Sequence, residues 1–427
     1  MKFSICNLGC KVNAYEAECV ASDLTAQGWL RVPFEEPADA SLIFTCAVTN
    51  MAAQKSRKMM HQARRRNPDS IIMMVGCYSQ INDGRLEDAD ILLGSAHKKD
   101  AVKYLNEFLQ NHEKIRVLDL AAEVPFEPLV TDTFENRTRA FLKIQDGCNQ
   151  FCSYCVIPYA RGRERSMDPD TVIQQVQRLS SAGYPEIVLT GIHTGRYGKE
   201  YGVPLEELIR RILQETDLQR LRISSIEITE ITDAFIALMK NEPRIARHLH
   251  IPLQSGCDRI LHDMNRPYTT DEYYARIMQI RKEIPDIAVS CDLITGFPGE
   301  TDEEHAATCA FLRRCEFSFL HVFPYSAREN TPAAARKDQI DPRVKKKRAA
   351  EAAAISAALA ENYARSWTGR EASVIWEEEK DGFVRGYTSQ YLPVITTGPV
   401  QAGRPVKVLL KEYRDKSVFA EAYDETD

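Results

Sequence analysis

No apolar run in this chain reaches the ~18 residues needed to cross a bilayer. The opening residues, MKFSICNLGC, meet Lys11 and Asn13 too soon for the apolar stretch of a secretory signal. Together these absences predict a cytoplasmic protein with no membrane attachment. There are no repeats of solenoid period and no low-complexity tract. A dinucleotide fingerprint is missing too, because Gly191, Gly195 and Gly198 have the wrong spacing. The run from Gly296 to Thr301 lacks the lysine of a phosphate-binding loop. Nicotinamide and ATP readings are excluded. Positive charge is in deficit: 55 Lys and Arg against 61 Asp and Glu leave a net −6, which by itself argues against a nucleic-acid partner. Its distribution weakens that argument. Residues 55–66, KSRKMMHQARRR, hold six basic side chains and no acid, and residues 343–348, RVKKKR, hold five. Each run is read either as a solvated helix face or as a phosphate contact.

What is plentiful is cysteine. In a reducing compartment, and in a chain of 427 residues with ample apolar material for cores, twelve cysteines are not a disulfide framework. Metal binding or catalysis is the better default for the clustered ones. Cys19, Cys257, Cys291, Cys309 and Cys315 have no ligand spacing and read as small buried hydrophobes.

At about 150 residues per domain the length predicts two or three domains. Residues 1–118 alternate apolar runs (2–6, 41–45, 71–75, 91–94) with helical patterns, which implies a parallel α/β sheet. Asn13 and Glu16 have capping-box spacing, followed by an Ala17, Val20, Leu24 stripe. Cys10 lies just past the first strand, Cys46 ends the second and Cys77 follows the third. Ligands gather at the carboxyl ends of parallel strands, so these three thiols should share one sheet edge. The bland reading is three unrelated buried cysteines. Residues 119–138, acidic and proline-bearing, read as a linker. Residues 139–366 offer candidate strands at 139–145, 186–190, 221–226, 248–251, 287–294 and 317–322, an incomplete six-stranded parallel barrel, followed by a long Ala-rich helix over 341–366. From 367 to 427 the segments 371–377, 383–388, 391–397 and 405–411 are short and β-prone, with Gly382, Gly386, Gly398 and Gly403 between them. They predict a small OB-like β-barrel.

Residues 145–158 read QDGCNQFCSYCVIP, a C-x3-C-x2-C spacing on Cys148, Cys152 and Cys155 directly after the first barrel strand. Thiolates are the ligands of iron–sulfur clusters, and three of them leave one iron of a [4Fe–4S] cluster open. A zinc site needs a fourth ligand, and no cysteine follows Cys155 until Cys257.

With Tyr154 as its aromatic, this motif resembles the signature of the radical S-adenosylmethionine (SAM) superfamily. LGCKVNAYEAE at 8–18, TCAVTNMAAQKSRK at 45–58 and VGCYSQ at 75–80 resemble the N-terminal domain of the methylthiotransferases. HIPLQSGCDRIL at 250–261, MNRPYT at 264–269 and DLITGFPGET at 292–301 resemble their barrel, and the last sixty residues resemble a TRAM domain, an RNA-binding β-barrel. The resemblance implies two [4Fe–4S] clusters. One is catalytic, on Cys148, Cys152 and Cys155, and its open iron binds SAM. The other is auxiliary, on Cys10, Cys46 and Cys77. Tyr154 would lie beside the adenine of SAM. Strand-end logic adds Gly191, Ser224, Glu227, Gln254, Ser255 and Asp292 as candidate SAM contacts.

The reaction implied replaces a C–H by C–SCH3, with one SAM methylating a sulfur and a second cleaved to a radical. It calls for tRNA, a sulfur source and an electron donor such as flavodoxin or ferredoxin. Three substrates occur in the resembled family: adenosine 37 of tRNA bearing a threonylcarbamoyl or an isopentenyl group, and an aspartate of a ribosomal protein. The run AVTNMAAQKSRK resembles the threonylcarbamoyl type. A reading of another class is a non-enzymatic RNA-binding protein with a structural metal. It accounts for the basic runs and the last barrel, not for an open three-cysteine motif.

Overall fold

The computed structural model describes residues 1–81, 83–120, 125–135, 137–397, 400–401 and 403–422. Gly398, and residues 121–124 and 136 of the expected linker, lie outside the described residues.

The runs SLIFT and IIMMVG are apolar at every position, as strands buried on both faces must be. They form β3 (Ala40–Thr45) and β4 (Ile71–Gly76) at the centre of a six-stranded sheet with β1 (Lys2–Asn7), β2 (Leu30–Val32), β5 (Ile91–Leu93) and β6 (Ile115–Val117), in the order β2-β1-β3-β4-β5-β6. All pairs are parallel. Helices α1 (Lys11–Ala26), α2 (Asn50–Arg66), α3 (Cys77–Ile81) and α4 (Ala101–Asn111) cross over between strands. Because β1, β3 and β4 are neighbours, the positions just beyond their carboxyl ends bring Cys10, Cys46 and Cys77 to one edge.

The capping box expected at Asn13 and Glu16 does not form. Helix α1 starts earlier, with Cys10 at its N-cap, and both polar residues are buried inside the helix. Asn13 Nδ2 donates to the Thr45 carbonyl at 2.8 Å.

The second unit is the expected incomplete barrel. β7 (Arg139–Lys143), β10 (Glu186–Thr190) and β11 (Arg220–Ile223) form one parallel sheet. β12 (His248–His250), β13 (Ala288–Thr295) and β14 (Phe319–Pro324) form another. Single bridges at Leu221–Ile245 and Ser225–His250 join them. A short antiparallel pair, β8 (Gln145–Asp146) and β9 (Arg165–Ser166), flanks the cysteine loop, with α5 (Ile157–Arg161) between them. Strand side chains alternate between faces. Ala140, Leu142, Ile187, Leu189, Val289, Cys291 and Leu293 pack outward into the core under the outer helices. The opposite set, which includes Arg139, Glu186, Arg222, His248, His250, Ser290, Asp292 and His321, faces inward. The lumen of the half-barrel is therefore polar.

The segment 119–138 is not a free linker. Leu129 and Phe134 are buried in the barrel core, and the Tyr15 hydroxyl donates to the Leu129 carbonyl, so the chain is packed between the first two units.

The last helix of the barrel unit, Pro342–Ser366, leads into a closed five-stranded barrel of β15 (Glu371–Lys380), β16 (Phe383–Thr388), β17 (Pro393–Thr396), β18 (Val406–Arg414) and β19 (Ser417–Ala422). The fifth strand was absent from the sequence reading. This barrel plugs the amino end of the lumen. Arg139 lies 5.0 Å over the Tyr387 ring, Arg222 lies 5.0 Å over Tyr391, and His248 stacks on Tyr391 at 5.2 Å.

Candidate functional site

The loop carrying Cys148, Cys152 and Cys155 leaves β8 through Gly147, which sits at φ +71; a Cβ there would lie 1.9 Å from the Arg163 carbonyl oxygen. Only glycine fits. Phe151, also left-handed at φ +48, turns the chain back within the loop. Outside contacts pin the loop: Ser153 Oγ donates to the Asp263 carbonyl at 2.7 Å, and the Ala333 amide donates to the Ser153 carbonyl at 2.8 Å.

Each of these thiols has a distinct setting. Cys152 Sγ accepts from Arg266 Nη1 at 3.4 Å; Arg266 in turn pairs with Glu227. Cys148 Sγ lies 3.6 Å from His193 Nδ1. Burial pushes the Cys155 thiol up to about 12, and the neighbouring Cys152 adds to the effect. His193 comes from the end of the next barrel strand, 45 residues beyond Cys148. It is not a fourth ligand. Burial opposes its charge, but hydrogen bonds to Cys148, Glu164 and Glu230 push it up to about 12, so it faces Cys148 as an imidazolium.

Cys10, Cys46 and Cys77 follow the carboxyl ends of β1, β3 and β4. Cys46 is raised to about 11 by burial, against the pull of the Val48 amide and with the nearby Cys77 and Cys10 adding to the rise. Arg161 Nε donates to Cys77 Sγ at 3.2 Å. Behind it lies a buried charge network. Glu16 is bound by Lys143 at 2.7 Å, Lys98 at 3.1 Å and Arg161 at 3.1 Å. Asp146 is bound by Lys143 at 2.7 Å, Arg161 at 2.9 Å and Arg165 at 3.0 Å. Burial opposes ionisation of Glu16, yet Arg161, Lys143 and Lys98 outweigh it and hold the carboxyl well below the usual range. Two carboxylates face four cations here. An unbalanced buried charge is costly, and thiolates holding a metal cluster next to Cys77 would supply the missing negative charge. The donor set thus fits anionic iron–sulfur clusters, with cations aimed at Sγ of Cys77, Cys148 and Cys152.

A pocket of about 160 Å3 lies beside Cys155. Tyr154 and Cys155 bound one side, and Val48 and Thr49, just past Cys46, bound another. Of the candidate SAM contacts, Gln254 and Asp292 line this pocket with Tyr154. Gln254 adopts a left-handed φ of +67 there, the kind of strained position that collects at binding sites. Gly191 packs on Gln145, Ser224 is buried, Glu227 is engaged by Arg266, and Ser255 is fully buried with its hydroxyl accepting the Cys257 amide; none of the four lines the pocket. The loop after β14 ties the walls together: Arg328 Nη1 donates to Asn50 Oδ1 at 2.6 Å.

Deeper in the lumen the sequence reading missed a polar group. His250, Asp292 and His321 bring one ligand-type atom each within 4.8 Å of one another. His250 Nε2 lies 3.2 Å from Asp292, and its Nδ1 is 2.9 Å from Ser290 Oγ.

The basic runs sit differently from expectation. Arg64 bonds the Ser70 carbonyl at 2.6 Å and Asp90 at 2.6 Å, and Arg66 bonds the Phe34 carbonyl. Both lie at the end of α2 remote from Cys46, so they hold the fold rather than crowd the cysteine edge. Arg348 is likewise buried against Glu300 at 2.8 Å.

Comparison with known proteins agrees with this layout. Residues 142–312 match the Radical SAM superfamily, and residues 2–94 match the Uncharacterized protein family UPF0004. A Bacillus subtilis protein named threonylcarbamoyladenosine tRNA methylthiotransferase is 42% identical over 416 residues, covering 94% of this chain and 92% of its own. A Carboxydothermus hydrogenoformans protein named tRNA-2-methylthio-N(6)-dimethylallyladenosine synthase is 34% identical, covering 80% of each chain. Among solved structures, the radical SAM methyltransferase TsrM from Kitasatospora setae shares the fold at TM-score 0.54 and 14% identity, over 78% of this chain and 75% of that one.

Proposed function

This chain belongs to the radical SAM methylthiotransferase family, and from that membership we propose that it adds a methylthio group to C2 of threonylcarbamoyladenosine at position 37 of tRNA. The observation that carries the reading is one pocket lined by Tyr154 and Cys155 from the first triplet's loop and by Val48 and Thr49 just past Cys46. We assign Cys148, Cys152 and Cys155 to the catalytic [4Fe–4S] cluster and Cys10, Cys46 and Cys77 to an auxiliary one. We take residues 1–118 as the auxiliary-cluster domain, 139–366 as the radical SAM barrel and 367–427 as an RNA-binding TRAM domain.

When bound, the catalytic cluster supplies the electron that splits SAM and so yields the radical that activates C2–H. The chain's own residues do the rest. Tyr154, Gln254 and Asp292 offer a wall for SAM. Arg266 and the His193 imidazolium offset negative charge at Cys152 and Cys148. The apolar rim at Val48 and Phe323 limits water around a reactive centre. The net change replaces C2–H by C2–SCH3, with one SAM as methyl donor and a second as radical source. The sulfur source is the auxiliary site; the electron donor is a small carrier such as flavodoxin or ferredoxin. Among the described residues no helix is long and apolar enough to cross a membrane; we assign the enzyme to the cytoplasm.

The test offers purified, reconstituted enzyme three substrates: threonylcarbamoylated tRNA, isopentenylated tRNA and the ribosomal protein. Methylthiolation of the first is expected. Reaction with either of the others and none with the first overturns the substrate and leaves the radical chemistry standing.

A further inference from the structure

Three adjacent strands of the half-barrel each bring one side chain of metal-ligating type to the same place. Where β12 pairs with β13, His250 stands beside Ser290; where β13 pairs with β14, Asp292 stands beside His321. Residues two apart on a strand share a face, so Ser290 and Asp292 point to one side, with His250 and His321 flanking them. Two imidazoles and one carboxylate result, with ligand-type atoms all within 4.8 Å of one another. His250 Nε2 and Asp292 Oδ2 are 3.2 Å apart. Ligand atoms held about 2.0–2.2 Å from one cation lie roughly 3–3.5 Å from each other, so this pair already has the spacing of two ligands on one ion. The His250 and His321 rings are 5.7 Å apart between centroids.

The surroundings of His250 are those of a ligand. Ser290 Oγ lies 2.9 Å from His250 Nδ1 and 2.9 Å from His248 Nε2, and Ser290 is fully buried. His248 is itself fixed by stacking on Phe319 at 5.8 Å and on Tyr391 at 5.2 Å. A ligating histidine is typically oriented in this way, by a hydrogen bond from its second ring nitrogen. With His250 Nδ1–H donating to Ser290, the electron pair of Nε2 points at Asp292, and a bare carboxylate would repel it. A cation between them turns that repulsion into two bonds. The opposite tautomer makes the same contact a plain hydrogen bond from Nε2–H to Asp292, and it gives His321 no part. Among the described residues His321 makes no hydrogen bond; it lies against the rings of His250, Phe319 and Phe323.

We propose that His250, Asp292 and His321 form a mononuclear site for a divalent transition-metal ion in the lumen, drawing on none of the six cluster cysteines. Two imidazoles and one carboxylate suit Fe2+, Mn2+ or Zn2+ rather than Ca2+ or Mg2+, whose sites are built of oxygen. Three protein ligands leave positions on the ion open. Asp292 also lines the pocket with Tyr154 and Gln254, which puts the ion at the border of that pocket.

The test reads metal rather than turnover, so it does not depend on the substrate reading. Mn2+ is the probe, because it prefers oxygen and nitrogen to thiolate and so leaves the clusters alone. Wild type with both clusters reconstituted and oxidised, His321→Gln, His321→Glu and Asp292→Asn are freed of loose metal by gel filtration and titrated anaerobically with Mn2+. Free Mn2+ is read from its electron paramagnetic resonance signal, to which oxidised [4Fe–4S] clusters, being diamagnetic, add nothing. Iron content is measured for each protein. Wild type is expected to bind one Mn2+ per chain and to release it to Zn2+, which stands higher in the affinity order. His321→Gln and Asp292→Asn should weaken binding by about tenfold or more at wild-type iron content, since even changes behind the ligands of a metal site reach that scale. His321→Glu, which supplies an oxygen ligand instead, should bind more tightly than His321→Gln. Two results overturn the proposal: a wild type that takes up neither Mn2+ nor Zn2+, or uptake that is the same in wild type, His321→Gln and Asp292→Asn, which would place the ion elsewhere.

Discussion

A guanidinium presents five N–H donors in a fixed fork, and at Arg161 every one is used: on Cys77, on both oxygens of Glu16, on Asp146 and on Asn13. Helix α1 and Cys77 belong to the first unit, Asp146 and Arg161 to the second, so one side chain sets the approach of the two triplets. Arg161→Met removes five buried hydrogen bonds, while Glu16 keeps Lys143 and Lys98 and Asp146 keeps Lys143 and Arg165. The expected cost is roughly 1–3 kcal/mol, the scale of a buried group left unsatisfied, read from urea unfolding of the apoprotein; an unchanged midpoint would show that the network adds nothing. Two cysteine variants separate the triplets. Cys152→Ala should abolish reductive cleavage of SAM. Cys46→Ala should still form 5′-deoxyadenosine and deliver no methylthio group. Methylthiolated product from Cys46→Ala would refute the proposed sulfur route. At this scale the six thiols were legible because strand-end position and spacing are local properties of the sequence. The network behind them was not. Asn13 and Glu16 have residue types that suit a capping box, and the partners that claim them instead, Lys143 and Arg161, lie more than a hundred residues away.

Among the elements, the contact between half-barrel and last barrel turns on Glu186. It gathers Arg139, Arg220 and Arg222, and these reach across: Arg139 to Glu377, Arg220 to Ser373 Oγ at 2.8 Å, Arg222 to the Ser389 carbonyl at 3.1 Å. Burial opposes ionisation of Glu186, but Arg222 and its companions outweigh it and lower the carboxyl from 4.5 to about 2. A depressed carboxyl contributes stability above its unfolded value, and that contribution fades as pH falls through the folded one. Relative to Glu186→Gln, wild type should be more stable by roughly 3 kcal/mol near neutrality. The difference should hold down to about pH 5 and shrink toward pH 2. A difference that stays constant across this range would mean that Glu186 is not ionised in the fold. Sequence periodicity located the barrel strands to within a few residues, because alternation of core-facing and lumen-facing side chains is strong there. It missed β19, six residues with a single strongly apolar pair, Val418 and Phe419. Within the expected linker 119–138, the packing of Leu129 and Phe134 was not legible, since they show no period and gain their burial from Tyr15 and the barrel.

For the whole molecule, the parallel sheet carries Cys10, Cys46 and Cys77, the half-barrel carries Cys148, Cys152 and Cys155, and the last barrel seals the floor of the lumen. Two independent triplets predict about eight irons per chain after anaerobic reconstitution, and about four when Cys148, Cys152 and Cys155 are all alanine. A wild-type chain that never exceeds four would remove the auxiliary cluster from the account. Net acidity remains compatible with tRNA because charge is segregated: Arg64, Arg66 and Arg348 of the basic runs serve the fold, while unbalanced positive charge collects beside Cys77. The central claim, methylthiolation of threonylcarbamoyladenosine 37, is tested most directly by nucleoside mass spectrometry of tRNA from cells lacking this protein. Loss of the 2-methylthio derivative with accumulation of unmethylthiolated threonylcarbamoyladenosine is the predicted result; an undiminished 2-methylthio-threonylcarbamoyladenosine peak would contradict it.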